Sequence, residues 1–372
     1  MRAFISRTAA TALAAGLAGC VIAAQDVTPP DTRPSFSEWL AAVREEAITR
    51  GIRPDIVNEA LSNIDEPLPV VIERDRTQAE LVLPLETYVA RRLTPKFVRT
   101  GREMYTRHRR LLEEIGERYE VDPHIIAAVW GIESNFGRFS GVRPTIAALA
   151  TLAWDPRRST FFRGELFNAL EILNRGDVDL SRLRGSWAGA MGQVQFMPSS
   201  YLQFAEDFDG DGRRDIWSTP ADVFASIANY LKGHGWKAGE PWGREVSVDP
   251  DVARAIAGDV PRRSGSCSAR RDMTVWLPAT RWHEIGVRLP SGREIAADAP
   301  DGALVSGAKQ HYLVYANYDA LLEYNCAHSY AVSVGVLADR LAARDDPKTR
   351  STRAKAQTTH SRSSRGRTKK NN

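Results

Sequence analysis

Cysteine is scarce in this chain: three residues in 372 exclude a small scaffold that depends on several disulfides for its stability. No cysteine has C-x-x-C spacing, so a structural zinc site is not expected. Histidine is sparse as well, at seven residues, and neither H-E-x-x-H nor G-x-S-x-G occurs, which removes the common metallopeptidase and serine-hydrolase readings. Internal repeats are missing. So is a real excess of charge: the net +4 includes nine basic and no acidic side chains in residues 347–372, and removing those nine leaves −5. A mildly acidic body does not offer the basic face of a nucleic-acid-binding domain. What is present is 43% apolar residues, enough for real cores in two or three packed units.

The N-terminus reads as an export signal, with Arg2 and Arg7 before a small apolar run at residues 8–19 that is too short to span a bilayer permanently. Leu17-Ala18-Gly19-Cys20 resembles a bacterial lipobox, so Cys20 is the expected site of lipidation, and by analogy with known bacterial lipoproteins Val21 in place of aspartate favours the outer membrane. Cleavage after Ala23 or Ala24, discarding Cys20, is the alternative. Cys267 and Cys326 then remain in an oxidising compartment, where an even count permits one disulfide and equally permits two free thiols.

The chain divides by texture. Signal and lipobox (1–20) and a stiff proline-rich linker (21–35) precede an N-terminal helical region (36–118). A second helical block (119–245) holds most of the chemically suggestive residues. Short alternating runs at residues 272–277 and 284–289 suggest strands in a small β-containing insert (246–310). Residues 311–343 return to the core as a strand and helix, and a basic tail (344–372) is too polar to pack.

Asp122-Pro123 is a good helix start, an N-cap oxygen followed by proline at the first helical position. Ile126 and Val129 then share a face with Glu133, placing that carboxyl on a stripe that should be buried. Burial without a cation raises a carboxyl pKa, the condition a general acid needs near neutrality. Taken alone, the local pattern favours a frayed helix end with Glu133 pointing into water.

Gly131-Ile132-Glu133-Ser134-Asn135-Phe136-Gly137-Arg138 resembles the catalytic signature of soluble lytic transglycosylases, peptidoglycan-cleaving enzymes with a goose-lysozyme-like core. The run Ala188-Gly189-Ala190-Met191-Gly192-Gln193-Val194-Gln195-Phe196-Met197-Pro198-Ser199-Ser200-Tyr201 resembles a second signature, that of the membrane-bound lytic transglycosylase B family, glycoside hydrolase family 103. Ile72-Glu73-Arg74-Asp75-Arg76-Thr77-Gln78 is similar to that family's N-terminal motif, and with Tyr324-Asn325 the resemblance spans about residues 36–340. It implies a mainly helical, α+β fold with a lysozyme-like catalytic core.

The same resemblance implies Glu133 as the single acid/base, Ser186 and Gln195 as polar lining of the cleft, and Tyr88, Tyr230, Tyr324 and Asn325 around the substrate. The usual glycosidase route needs two carboxylates, and the sequence offers one convincing candidate. In the implied reaction Glu133 protonates the oxygen between MurNAc and GlcNAc, then takes the proton from the C6 hydroxyl of the same MurNAc, which closes a 1,6-anhydro ring. An internal nucleophile held in geometry has a large effective molarity, so a second carboxylate is dispensable.

Asp207-Phe208-Asp209-Gly210-Asp211-Gly212-Arg213-Arg214-Asp215 has oxygen side chains at positions 1, 3, 5 and 9 and glycine at 6, the layout of an EF-hand calcium loop. Position 12 is Ser218 in place of the usual glutamate, so Asp207, Asp209, Asp211, the Arg213 carbonyl and, by analogy with the family, Asp222 are the expected ligands of a structural calcium ion, with Asp215 in reserve. An acidic turn without an ion is the alternative. No cofactor is expected for the chemistry. Expected partners are peptidoglycan strands, a membrane reached through the N-terminal lipid, and unspecified wall-synthesis proteins, with no nucleic acid. A hydrolytic muramidase and a catalytically silent wall-binding scaffold are the rival readings. The tail reads as a solvated extension, or as a segment attracted to anionic wall polymers or headgroups.

Overall fold

The computed structural model describes residues 34–77 and 83–343; Cys20 and its signal, most of the proline-rich linker, Gln78 and the basic tail lie outside them. The chain is mainly helical. The N-terminal region comprises α1 (Phe36–Thr49), α2 (Pro54–Leu61), α3 (Pro69–Thr77), α4 (Leu85–Arg92) and α5 (Pro95–Tyr119). The central block comprises α6 (Pro123–Ser134), β1 (Arg143–Pro144), α7 (Thr145–Trp154), α8 (Ser159–Arg175), β2 (Arg184–Gly185), α9 (Pro198–Phe204) and α10 (Pro220–Gly233). The remainder is β3 (Gly243–Val246), α11 (Pro250–Asp259), α12 (Ser268–Asp272), α13 (Ala279–Ile285), β4 (Ala303–Ser306), β5 (His311–Val314), α14 (Asn317–Tyr324) and α15 (His328–Ala342).

α6 is the axis of the core. It is apolar on all sides, and α5, α10 and α15 pack around it. Its start is set by Asp122, whose carboxylate accepts the His124 amide, with Pro123 at the first helical position. α5 is amphipathic: Val98, Gly101, Tyr105, Leu112, Ile115 and Tyr119 recur at helical spacing and are buried. Its N-cap is Thr94, whose hydroxyl accepts the Phe97 amide.

The end of α6 explains the Gly-Ile-Glu-Ser-Asn-Phe-Gly run. Asn135, Phe136 and Gly137 adopt left-handed φ of 52°, 59° and 77°, which stops the helix at Ser134. The Phe136 ring folds back into a slot between two glycines: a Cβ on Gly131 would lie 2.6 Å from it, and one on Gly101 2.9 Å. The Ser134 hydroxyl donates to the Trp130 carbonyl and accepts the Gly137 amide. Glu133 is thereby fixed on the last turn of a buried helix. Burying Phe136, which is 3% exposed, stabilises this corner by an amount of order 3–5 kcal/mol relative to alanine.

The insert departs from its expected strands. Residues 272–277 supply only isolated bridges, Thr274 to Arg262 and Leu277 to Gly302, and Glu284 and Ile285 close α13, which Gly286 caps at φ 109°. The sheet is instead antiparallel, order β3-β5-β4, with Gly243 opposite Val314 and Ala303 opposite the same residue. Two of its strands, β3 and β5, reach outside residues 246–310. A second hydrophobic cluster, including Val246, Ile256, Trp282, Val287, Leu304 and Tyr315, sits under this sheet, and the Trp282 Nε1 donates to the Gly302 carbonyl at 2.8 Å. Among the described residues no helix is long and apolar enough to cross a membrane.

Candidate active site

Glu133 keeps a partly exposed edge, while Ile126 and Val129 on its face are fully buried. Burial pushes its carboxyl up to about 7; the Tyr330 hydroxyl and the Arg92 guanidinium pull against that rise without cancelling it. The Tyr330 hydroxyl is buried and forms no hydrogen bond of strict geometry, although it lies near enough to Glu133 to favour the carboxylate. Arg92 is held by donating to the Ile132 carbonyl, one residue before Glu133. Among the described residues no second carboxyl is found shifting Glu133.

The tyrosines around Glu133 form an aromatic cluster. Tyr230 and Tyr324 have ring centroids 4.7 Å apart, and Tyr324 and Tyr330 are stacked at 6.1 Å. The Tyr230 hydroxyl donates to the Glu323 carbonyl and the Tyr324 hydroxyl to the Val194 carbonyl, each at 2.8 Å. Burial pushes Tyr230 up to about 12 and Tyr324 and Tyr330 well above the usual phenol range, with the Glu133 charge adding to each. All three therefore remain protonated; Tyr230 and Tyr324 spend their protons on backbone carbonyls, and Tyr330 alone keeps its own to give.

Ser186 and Gln195 sit in the turns between β2 and α9, where Met191 bridges both Gly185 and Phe196. The Ser186 hydroxyl oxygen accepts the Ala188 and Ala190 amides, at 3.3 and 3.1 Å, which leaves its proton to donate elsewhere. Gln195 adopts φ 53°, and its Nε2 donates to the Gly192 carbonyl, which leaves its Oε1 to accept elsewhere. Its neighbours tie it to the aromatic cluster, Val194 through the Tyr324 hydroxyl and Phe196 through ring contacts with Tyr230 and Tyr324. Asn325 is exposed just after α14, and Tyr88 lies half-buried on α4 one turn before Arg92.

Two residues that act on Glu133, Tyr330 and Arg92, carry no sequence signal of their own. Tyr330 reads as another core residue of α15, and Arg92 as one of several arginines near Tyr88. The third motif is structural at its centre: Asp75 on α3 ion-pairs with Arg157 at 2.6 Å and with Arg158. These residues line an open cavity of about 650 Å³ with Trp187 and Met197, whose sequence neighbours are Ser186 and Phe196.

In the acidic loop, the carboxylates of Asp207, Asp209 and Asp211 offer ligand atoms within 4.8 Å of one another. Asp207 is organised by the Gly210, Asp211 and Gly212 amides. Asp222 is fully buried beneath, each carboxylate oxygen accepting one amide, from Phe208 and Asp215 at 2.8 Å. Burial pushes Asp222 up to about 6, and the charges of Asp209 and Asp207 add to the rise. Asp215 is engaged by Ser218, the Trp217 amide and Arg182. This donor set is oxygen-only and crowded with like charge, which fits a hard cation such as calcium. Cys267 and Cys326 are disulfide-bonded, with Cα atoms 5.7 Å apart.

The chain is 42% identical over 149 residues to membrane-bound lytic murein transglycosylase B of Escherichia coli (strain K12); the match spans 40% of this chain and 41% of that relative. Its fold is similar to SltB3 from Pseudomonas aeruginosa in complex with NAG-NAM-pentapeptide, with a TM-score of 0.75 and 39% identity over 83% of this chain and 80% of that one. It is also similar to the E. coli lytic transglycosylase Slt35 in complex with calcium, with a TM-score of 0.68 and 27% identity over 82% and 93%. The family model described as the transglycosylase SLT domain matches residues 35–339, and the chain belongs to that family.

Proposed function

We propose that this protein is a peptidoglycan lytic transglycosylase that cleaves the β-1,4 bond between MurNAc and GlcNAc without adding water, leaving 1,6-anhydro-MurNAc ends. The observation that carries this reading is Glu133: one carboxyl, raised to about 7 by burial, beside the Tyr330 hydroxyl and Arg92, with no acidic partner acting on it among the described residues. Its protonated form gives a proton to the glycosidic oxygen as the bond to the anomeric carbon breaks, and GlcNAc leaves with a free hydroxyl. The resulting carboxylate is favoured by Tyr330 and Arg92 and takes the proton of the MurNAc C6 hydroxyl. That oxygen bonds to the anomeric carbon, and Glu133 is protonated again.

Gln195 and Asn325 are suited to the N-acetyl groups, Ser186 to donating a hydrogen bond, and Tyr88, Tyr230 and Tyr324 to sugar faces. A calcium ion held by Asp207, Asp209, Asp211, the Arg213 carbonyl and Asp222 would neutralise the acidic loop between α9 and α10 and leave the chemistry to Glu133. Slt35 crystallised with calcium and the SltB3 complex with NAG-NAM-pentapeptide support the cation and the substrate class. A lipid on Cys20 would hold the enzyme at the outer membrane on its periplasmic side. The test is digestion of purified sacculi: anhydro-muropeptides from the wild type, and loss of release by at least about a hundredfold in Glu133→Gln, are expected. Products with reducing MurNAc ends would favour the muramidase reading instead.

A further inference from the structure

We infer that the Cys267–Cys326 disulfide and the arginines beside it form a clamp that positions Asn325 for the glycan, an inference that rests on the function proposed above. Asn325 is exposed, has extended backbone at φ −152° and ψ 117°, and its side-chain amide takes no hydrogen bond among the described residues. An uncommitted amide of this kind is useful only if its backbone cannot drift. Both neighbours prevent that drift. Tyr324 before it is anchored through its hydroxyl to the Val194 carbonyl, and Cys326 after it is bonded to Cys267 of the insert, across 59 residues of sequence.

The insert grips the preceding helix at the same place. α12 starts directly after Cys267, and its Arg270 donates to Glu323 at 2.7 Å and to Asp319 at 3.3 Å on α14. Arg263 engages both oxygens of Asp319 at 2.8 Å, a two-pronged contact that fixes orientation as well as distance. These ion pairs hold α14 at Asp319 and Glu323, six and two residues before Asn325. They do not reach residues 325–327; there the Asn325 amide donates to the Leu321 carbonyl and the Ala327 amide to the Asn325 carbonyl, the α15 N-terminus has no side-chain cap, and the disulfide is the covalent tie between that turn and the insert. Cys267, Arg263 and Arg270 touch none of the groups acting on Glu133; they are positioning residues that work through Asn325.

The test is a double-mutant cycle read as binding. Soluble uncross-linked peptidoglycan strands are titrated calorimetrically into full-length protein carrying Glu133→Gln, so that no turnover occurs. Removing the disulfide by Cys267→Ser with Cys326→Ser is expected to weaken binding by about fivefold, and Asn325→Ala by about fivefold to tenfold. With all changes together, binding should be no weaker than with Asn325→Ala alone. A serine pair that leaves Kd unchanged, or losses that multiply, would overturn the clamp, because a merely structural role acts regardless of Asn325. If the serine pair is unfolded at the assay temperature, Arg270→Gln takes its place in the cycle with the same expectation of no added loss. Product chemistry does not enter this readout, so reducing-end products would sink the transglycosylase reading and leave the clamp intact.

Discussion

Replacing Glu133 by glutamine should make the protein more stable at neutral pH while abolishing its activity. An ordinary carboxyl titrates at 4.5, and burial holds this one at about 7. Each tenfold change in proton affinity is about 1.4 kcal/mol, so the folded state bears roughly 3 kcal/mol against the charged form. The sign follows from the raised folded value. Below pH 4.5 the carboxyl is neutral in both states and costs nothing. Between 4.5 and 7 the unfolded chain ionises first, and native stability is progressively lost; above 7 the loss is complete. Glutamine keeps the shape and the Tyr330 neighbour but never ionises. The variant should therefore match the wild type near pH 4 and unfold roughly 4–5 °C higher at pH 8, given the unfolding entropy of a chain this size. Thermal unfolding of both proteins across that range, followed by circular dichroism, measures the difference. A constant offset at every pH, or none at pH 8, would show that Glu133 is not held protonated by the fold.

Tyr330→Phe removes a group that favours the Glu133 carboxylate, so the limb of the pH–rate profile that reports Glu133 should move to higher pH, as followed by muropeptide release. Phe136→Ala empties the slot between Gly101 and Gly131 and should destabilise the protein by about 3–5 kcal/mol in urea unfolding. Chelation of calcium by EGTA should lower the unfolding temperature of the wild type and leave Asp207→Asn/Asp209→Asn unaffected; at a hundred times Kd, bound ion contributes about 2.7 kcal/mol. Loss of the Cys267–Cys326 bond, which closes a loop of 59 residues, should cost up to about 4 kcal/mol of stability by the chain-entropy account, measured under non-reducing and reducing conditions.

The helical core is legible in the sequence because its rules are local. Asp122-Pro123 announces the start of α6, and the spacing of Ile126, Val129 and Glu133 announces the buried face. The glycines at 131 and 137 are legible as motif members, but their reason, a phenylalanine ring folded across the helix and three left-handed residues in succession, is tertiary. In the insert, short alternation suggests strands that do not form. At residues 284–289 the pattern breaks at Gly286, which ends α13, and Arg288 pairs only with Ser247, so context overrides the alternation. Arg92 and Tyr330 are invisible in the sequence for a related reason. They reach Glu133 from α4 and α15, far from it along the chain, and nothing in their own segments marks them as different from surface arginine or core tyrosine.

Digestion of sacculi in ¹⁸O-labelled water tests the central claim, that Glu133 acts alone while the sugar supplies its own nucleophile. The account predicts anhydro-MurNAc termini that carry no ¹⁸O by mass spectrometry. Reducing MurNAc ends labelled with ¹⁸O at the anomeric carbon would contradict it.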